Sequence, residues 1–342
     1  MVVQDGWADK PFEKPDESPI DAILGYWPEG FADLQRQVEQ LTPSGRMTLL
    51  CPATVKPERE WMHLAGVVNR LAWQLDGWWV LTGSKRVHAR QAVQDAYAAK
   101  ALEQSGCDCG CGDGGCCSTG DAPVASFGEV NWAAGYSDAE EAQMPPEAAA
   151  FSLGCGNPIA MAGLKPGETV LDIGSGGGLD VFLAAKQVGP TGHAIGIDMT
   201  PAMLQRARAT AKQAGITNVT FRHGYAEELP VPDGSVDVII SNCVINLSED
   251  KGAVFTEAFR ALKVGGRLEV NDMVFGGAVP PQMRTSQDGW SECVSGALPE
   301  QEYVDIVRQA GFDEVRITRS TSHGVAGGVP VYSVQVSAVR KG

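Results

Sequence analysis

Three cysteines stand in separate settings: Cys155 in Gly154-Cys155-Gly156-Asn157-Pro158, Cys243 in Ser241-Asn242-Cys243-Val244-Ile245-Asn246-Leu247, and Cys293 in Glu292-Cys293-Val294-Ser295-Gly296. Thiolates are soft donors, and in a reducing compartment such residues read as metal, metalloid or redox groups before they read as a disulfide framework. They surround a second chemical feature, the run Val170-Leu171-Asp172-Ile173-Gly174-Ser175-Gly176-Gly177-Gly178. Gly174, Gly176 and Gly177 let the backbone turn sharply and approach a ligand, because no Cβ intervenes and positive φ is allowed. Asp172, at the end of the run before the loop, can order it and reach an ammonium group of the ligand. Asp198 follows about 20 residues beyond the loop, where a carboxylate can accept both hydroxyls of a ribose.

The elements that must hold these residues read as a doubly wound α/β sheet from residue 168 onward. Strands are predicted at Thr169 to Ile173, His193 to Asp198, Val219 to His223, Val236 to Ser241, Arg267 to Asn271, Glu314 to Thr318 and Val331 to Val339. Helical patterns fall at Leu179 to Val188, Pro201 to Ala214, Ala253 to Leu262 and Gln301 to Ala310. The last two strands share one short connection, so they read as an antiparallel pair at an edge. Residues 276 to 300 interrupt the alternation and carry Cys293, as a cap inserted above the sheet would.

The region before residue 89 reads as a small helical extension. Glu60 to Leu75 sets Trp61, Leu64, Ala65, Val68, Leu71, Ala72 and Leu75 at three- and four-residue spacing, the mark of an amphipathic helix, with Trp78 and Trp79 closing the block. Arg86 to Gln104 is alanine-rich and reads as a further helix, leading into the low-complexity loop Gly106 to Gly120. That loop holds Cys107, Cys109, Cys111, Cys116 and Cys117. Its crowding suits soft-metal capture or thiol relay as well as a structural zinc, whose ligands more often come as two separated pairs. The division expected is therefore 1–88, 89–150, 151–275 and 276–342.

Composition narrows the partners. A formal charge of -15 over 342 residues offers no basic footprint for phosphate, which argues against a nucleic-acid substrate. No apolar run approaches the roughly 18 residues of a membrane span, and Met1 to Lys10 lacks the regions of a secretory signal. A cytoplasmic protein with mostly reduced cysteines is expected.

The glycine run, with Gly-Tyr-Ala-Glu-Glu-Leu-Pro at 224–230, is similar to the motifs of class I S-adenosylmethionine-dependent methyltransferases, whose Rossmann-like sheet has seven strands. With the cysteine contexts Ser-Leu-Gly-Cys-Gly-Asn-Pro at 152–158, Ser-Asn-Cys-Val-Ile-Asn-Leu-Ser at 241–248 and Glu-Cys-Val-Ser-Gly-Ala-Leu at 292–298, the chain from about residue 90 resembles arsenite S-adenosylmethionine methyltransferases. The resemblance implies cofactor contacts from Asp172, Gly174, Ser175, Gly176, Gly177, Asp198, Met199, Ala226, Glu227 and Asn242. It also implies an arsenic site made by Cys155, Cys243 and Cys293, with Cys116 and Cys117 as counterparts of an upstream pair.

Trivalent arsenic exchanges hydroxide for thiolate, and its lone pair is the nucleophile, so no general base is required. S-adenosylhomocysteine would be the product of the cofactor. The resemblance further implies a disulfide left after transfer, reopened by thioredoxin or glutathione. A methyltransferase of a small carbon, oxygen or thiol acceptor would share the fold and leave the cysteines unexplained. A metalloid-binding protein without catalysis would leave the cofactor loop unexplained.

Overall fold

Buried runs bounded by glycine and aspartate build the main sheet. In the computed structural model the described residues are 20–26, 41–52, 67–75, 78–85, 90–103, 136–137, 140, 144–145, 156–279 and 296–342. The chain divides into two units, Met1–Val87 and His88–Gly342.

In the first unit, β1 (Ile20–Tyr26), β2 (Leu41–Pro52), β3 (Val67–Leu75) and β4 (Trp78–Lys85) form a sheet in the order β1-β2-β4-β3. This corrects the helical reading of the extension. Residues 67–75, expected at the end of a helix, pair antiparallel with β4, with Leu75 in register with Trp78. The stronger local signal was Asp76-Gly77, a two-residue hairpin dipeptide between two apolar runs. β4 lies between β3 and β2, which removes the lone-hairpin instability.

The second unit opens with α1 (Arg90–Glu103) and α2 (Pro158–Ala162). Then follow β5 (Thr169–Ile173), α3 (Leu179–Val188), β6 (His193–Asp198), α4 (Pro201–Gln213), β7 (Val219–His223), β8 (Val236–Asn242), α5 (Lys251–Ala261) and β9 (Leu262–Phe275). A short β10 (Leu298–Pro299), α6 (Glu300–Gln309), β11 (Asp313–Ala326) and β12 (Val329–Val339) complete it. The sheet runs β11-β12-β9-β8-β5-β6-β7, with β10 added beside β9. β5 to β9 are parallel, while β12 pairs antiparallel with both β9 and β11.

β5 is buried at Val170–Ile173, and β8 is buried at five of its seven positions, the pattern of parallel strands covered on both faces. Leu179, Val181, Phe182 and Ala185 of α3 pack with Val170 and Val238 in the core. The chain passes from β5 out to β7 and returns to β8, so strand order reverses between β5 and β8. Ligands of such sheets bind outside the carboxyl ends at that reversal. Among the described residues, no helix is long and apolar enough to cross a membrane.

Candidate active site

An open cleft of about 1150 Å³ lies at the reversal. Its floor is the turn after β5. Gly174 N–H and Ser175 N–H both donate to the Ile197 carbonyl of β6 (2.7 and 2.9 Å), and Gly178 N–H closes the turn on Ser175 O at 2.8 Å. Gly174 has φ +76°, and a Cβ there would overlap the Val244 side chain, so the turn after β5 and the turn after β8 touch through a glycine. Gly176, at φ +49°, would find nothing within 4 Å of an added Cβ, because that position opens on the cleft.

Asp198 ends β6 and organises the rim. One carboxylate oxygen accepts Gly176 N–H at 2.9 Å and the other accepts Thr200 N–H at 2.7 Å. Burial raises its pKa, against the pull of those donors. Asp172, buried at the end of β5, is held well above the carboxylate range by burial first and then by Asp180 and Asp198. Asp180, in the first turn of α3, is raised to about 6 by burial, with the hydrogen bonds from Tyr136 and Asn242 opposing. The buried Asp172 and Asp180 and the partly buried Asp198 thus line the cleft together. Burying carboxylates beside one another is costly even where they accept hydrogen bonds, and a cationic ligand offsets that cost.

Ten residues expected at a cofactor are brought to this cleft: Asp172, Gly174 to Gly177, Asp198, Met199, Ala226, Glu227 and Asn242. Asn242 does something the sequence did not suggest. Its Nδ2 donates to Gly156 O (2.7 Å), Tyr136 Oη (3.1 Å) and Asp180 Oδ2 (3.3 Å), tying β8 to the segment before α2. Tyr136 Oη in turn donates to Asp180 Oδ1 at 2.7 Å. Glu227 accepts from Ser248 Oγ at 2.6 Å and pairs with Arg90 of α1 at 3.3 Å, and the Arg90 guanidinium lies 4.5 Å from the Tyr225 ring centroid.

Sequence reasoning missed Tyr136, Asp180 and Arg90. Asp180 had one available signal, an acid in the first turn of a helix that is otherwise apolar through Ala185.

Cys243 lines the same cleft, next to the loop. It follows β8 with φ +57°, a left-handed conformation that costs a non-glycine residue on the order of 1–3 kcal/mol. Its N–H is fixed on Asn271 O at 2.8 Å, and its side chain packs with Met273, Phe275, Val279, Ala297 and Leu247. Its sulfur is engaged in a disulfide. Cys155, Cys293, Cys116 and Cys117 lie outside the described residues, as does the loop 107–117. Gly156 is described, and its carbonyl is the one Asn242 holds. Asn157 caps α2 by accepting Ala160 N–H at 3.0 Å, with Pro158 at the first helical position. Among the described residues, no group of three or more His, Cys, Asp or Glu is placed to hold a metal ion.

Comparison with known proteins gives this geometry a context. A family model described as a methyltransferase domain matches residues 164–311. The chain is 34% identical to the crystal structure of an arsenic(III) S-adenosylmethionine methyltransferase from Chlamydomonas reinhardtii, covering 59% of this chain and 73% of that one with a TM-score of 0.54. The chain belongs to the arsenite methyltransferase family.

Two members named arsenite methyltransferase extend the comparison. The one from Halobacterium salinarum is 44% identical over 234 residues, 67% of this chain and 58% of that protein. The one from Aquipseudomonas alcaligenes is 41% identical over 182 residues, 51% of this chain and 52% of that protein. The chain spans little more than half the length of these curated relatives.

The cleft fits the cofactor of this family. S-adenosylmethionine carries a sulfonium and an ammonium, and the three aspartates at the cleft suit two positive charges. The residues that would hold it are the Gly174–Gly177 turn, Asp172 and Asp198.

The aspartates make a testable acid limb. A carboxyl with a folded pKa raised to about 6 is ionised above that value, where its charge costs the ligand-free fold stability. The cost fades as the pH falls toward the unfolded value near 3.9. A cation binds the ionised form, so S-adenosylmethionine affinity should fall as the pH drops through about 6. Asp180→Asn should flatten that limb in calorimetric titrations. An unchanged acid limb in the variant would remove Asp180 from the account.

Proposed function

We propose that this protein transfers the methyl group of S-adenosylmethionine to trivalent arsenic held by cysteine thiolates, converting arsenite to methylated arsenicals. The observation that carries the reading is Cys243, which lines the cleft at the end of β8 beside the glycine turn and the aspartates that suit a sulfonium cofactor. When bound, the cofactor would supply an electrophilic methyl, to which the arsenic lone pair would donate as the methyl–sulfonium bond breaks and S-adenosylhomocysteine leaves with that bond's electron pair.

The chain's own residues do the rest. Asn271 O and the packing of Met273 and Phe275 fix the Cys243 backbone, so the thiolate is held where it cannot swing away. Asn242 ties the Gly156 carbonyl to the same strand end, next in sequence to Cys155. Cys155 and Cys293 complete the proposed thiolate set, and Cys116 and Cys117 serve as the exchanging pair. Tyr136 and Asn242 hold Asp180 ionised at neutral pH. Holding arsenic and the methyl in near contact is worth several orders of magnitude without any acid or base.

A thiolate must be reduced to bind arsenic, and Cys243 is in a disulfide. The reading therefore includes a cellular dithiol reductant of the thioredoxin class or glutathione, and a reducing cytoplasmic setting. The experiment is incubation with arsenite, S-adenosylmethionine and a thiol, with arsenic species separated and counted. Methylated arsenic should form only when the thiol is present. Transfer to an organic acceptor with no arsenic product, or turnover indifferent to thiol, would overturn the reading.

A further inference from the structure

The connection from β8 to α5 forms a further wall of the cleft and meets the glycine turn where Val244 packs on Gly174. Val244, Leu247, Ser248 and Glu249 of this connection all face the cleft. Such a connection contains one short 3-10 turn, Ile245–Leu247, and few backbone hydrogen bonds of its own. Something must hold it. Asn246 is fully buried and donates to Met273 O at 2.7 Å. Asp250 caps α5 by accepting Ala253 N–H at 3.1 Å. The third fastening is Lys251, whose Nζ donates to Ser248 O at 3.0 Å and reaches Asn246 O at 3.5 Å.

Lys251 stands where a lysine is doubly disfavoured. It is 1% exposed, and it occupies the first turn of α5, the positive end of a helix dipole. Burial lowers its pKa to about 8, against attraction from Asp272 of β9, Glu302 of α6, its own cap Asp250, and Glu227 after β7. Asp272, raised to about 7 by burial, is also bonded by Tyr303 Oη at 3.1 Å. An apolar side chain of the same length would fill this space without the desolvation cost. The ammonium does what a methyl group cannot: it gathers two carbonyls of the connection. Ser248 then passes the constraint on, since its hydroxyl holds Glu227, the carboxylate paired with Arg90 across the cleft.

We propose that Lys251 is a positioning residue whose buried ammonium clamps the carbonyls of Ser248 and Asn246 and so keeps residues 244–249 in the shape that receives the cofactor. The proposal rests on the cofactor reading above and adds an alkaline limit to it. The ammonium is present below about pH 8 and is lost as the pH rises through that value. A lysine with a lowered folded pKa costs the fold stability while it is charged, and the cost is relieved between about 8 and the unfolded value near 10.4. Stability from this group thus rises with pH while the clamp is lost. A simple field effect has the opposite sign, because removing a positive charge favours a cationic ligand.

The test compares S-adenosylmethionine affinity of the full chain and of Lys251→Met by calorimetry from about pH 6 to about pH 10. The ligand's own amine titrates in this range, and the ratio of the two affinities cancels it. The wild type should bind about tenfold more tightly than the variant below pH 7 and equally well near pH 10. Lys251→Arg, whose guanidinium stays charged throughout, should show no such alkaline loss relative to Lys251→Met.

A ratio that does not change with pH, or equal affinities at neutral pH, would overturn the clamp while leaving the cofactor reading intact. If Lys251→Met does not fold, the ratio of wild type to Lys251→Arg decides. A constant value overturns the proposal, and a fall through about pH 8 supports it.

Discussion

Replacing Cys243 with serine should reduce arsenite methylation by about three orders of magnitude or more while leaving S-adenosylmethionine affinity within about twofold of the wild type. The side chain keeps its size and its place, but a soft sulfur becomes a hard oxygen, and trivalent arsenic has little preference for a hydroxyl over the water it already carries. The backbone makes this a clean comparison. Cys243 sits at φ +57°, and serine pays the same left-handed cost as cysteine, so the change isolates the sulfur atom. Since the sulfur is engaged in a disulfide, both proteins should be assayed under full reduction, which removes the bridge as a difference between them. Monomethyl arsenic should be lost as a substrate too. Retained arsenic turnover in the serine variant would show that Cys243 is only a small buried group in the cluster with Met273 and Phe275. It would turn attention to an organic acceptor.

What was legible in the sequence followed from how each element is buried. β5, β6, β7 and α3 were readable to the residue, because β5 and β6 are apolar runs ending in a turn, β7 is a β-branched and aromatic run, and α3 is apolar through Ala185. β9 and β11 run well beyond the stretches expected of them. β11 is exposed along most of its length, so its outer half carries no apolar alternation, and it is a strand only because β12 supplies partners. In the first unit, a three- and four-residue spacing misled where a hairpin dipeptide decided, and β3 and β4 took the place of a helix.

The candidate site divides in the same way. Gly174, Gly176, Asp172 and Asp198 are set by spacing within one βαβ unit, so sequence distance locates them. Tyr136 comes from a segment without periodicity, more than 100 residues from the Asn242 that it meets. Lys251 looks like any lysine opening a surface helix. Its burial is a tertiary fact created by β9 and α6 closing over it, and nothing local records that.

Asp198→Ala should weaken S-adenosylmethionine binding by about 100-fold or more, with little effect on thiolate binding of arsenite. Two charge-assisted hydrogen bonds to ribose hydroxyls are worth about 1.5–3 kcal/mol each in a dry site. The carboxylate also holds Gly176 N–H and Thr200 N–H, so alanine leaves two donors at the rim without their acceptor. Asp198→Asn tests the same point more sharply. An amide has one oxygen, so one of those two N–H groups would face an NH₂, and the variant should lose affinity although it keeps the shape.

Gly176→Val separates loop shape from hydrogen bonding. A Cβ at Gly176 meets nothing within 4 Å, so valine should be tolerated by packing, strained by about 1–2 kcal/mol at φ +49°, and should project into the space left for the ligand. Calorimetry should then show weak cofactor binding in a protein whose melting temperature has fallen only a few degrees. Cofactor affinity unchanged in both Asp198→Ala and Gly176→Val would mean that the cleft at the reversal between β5 and β8 binds something else. In that case the glycine turn is only a turn.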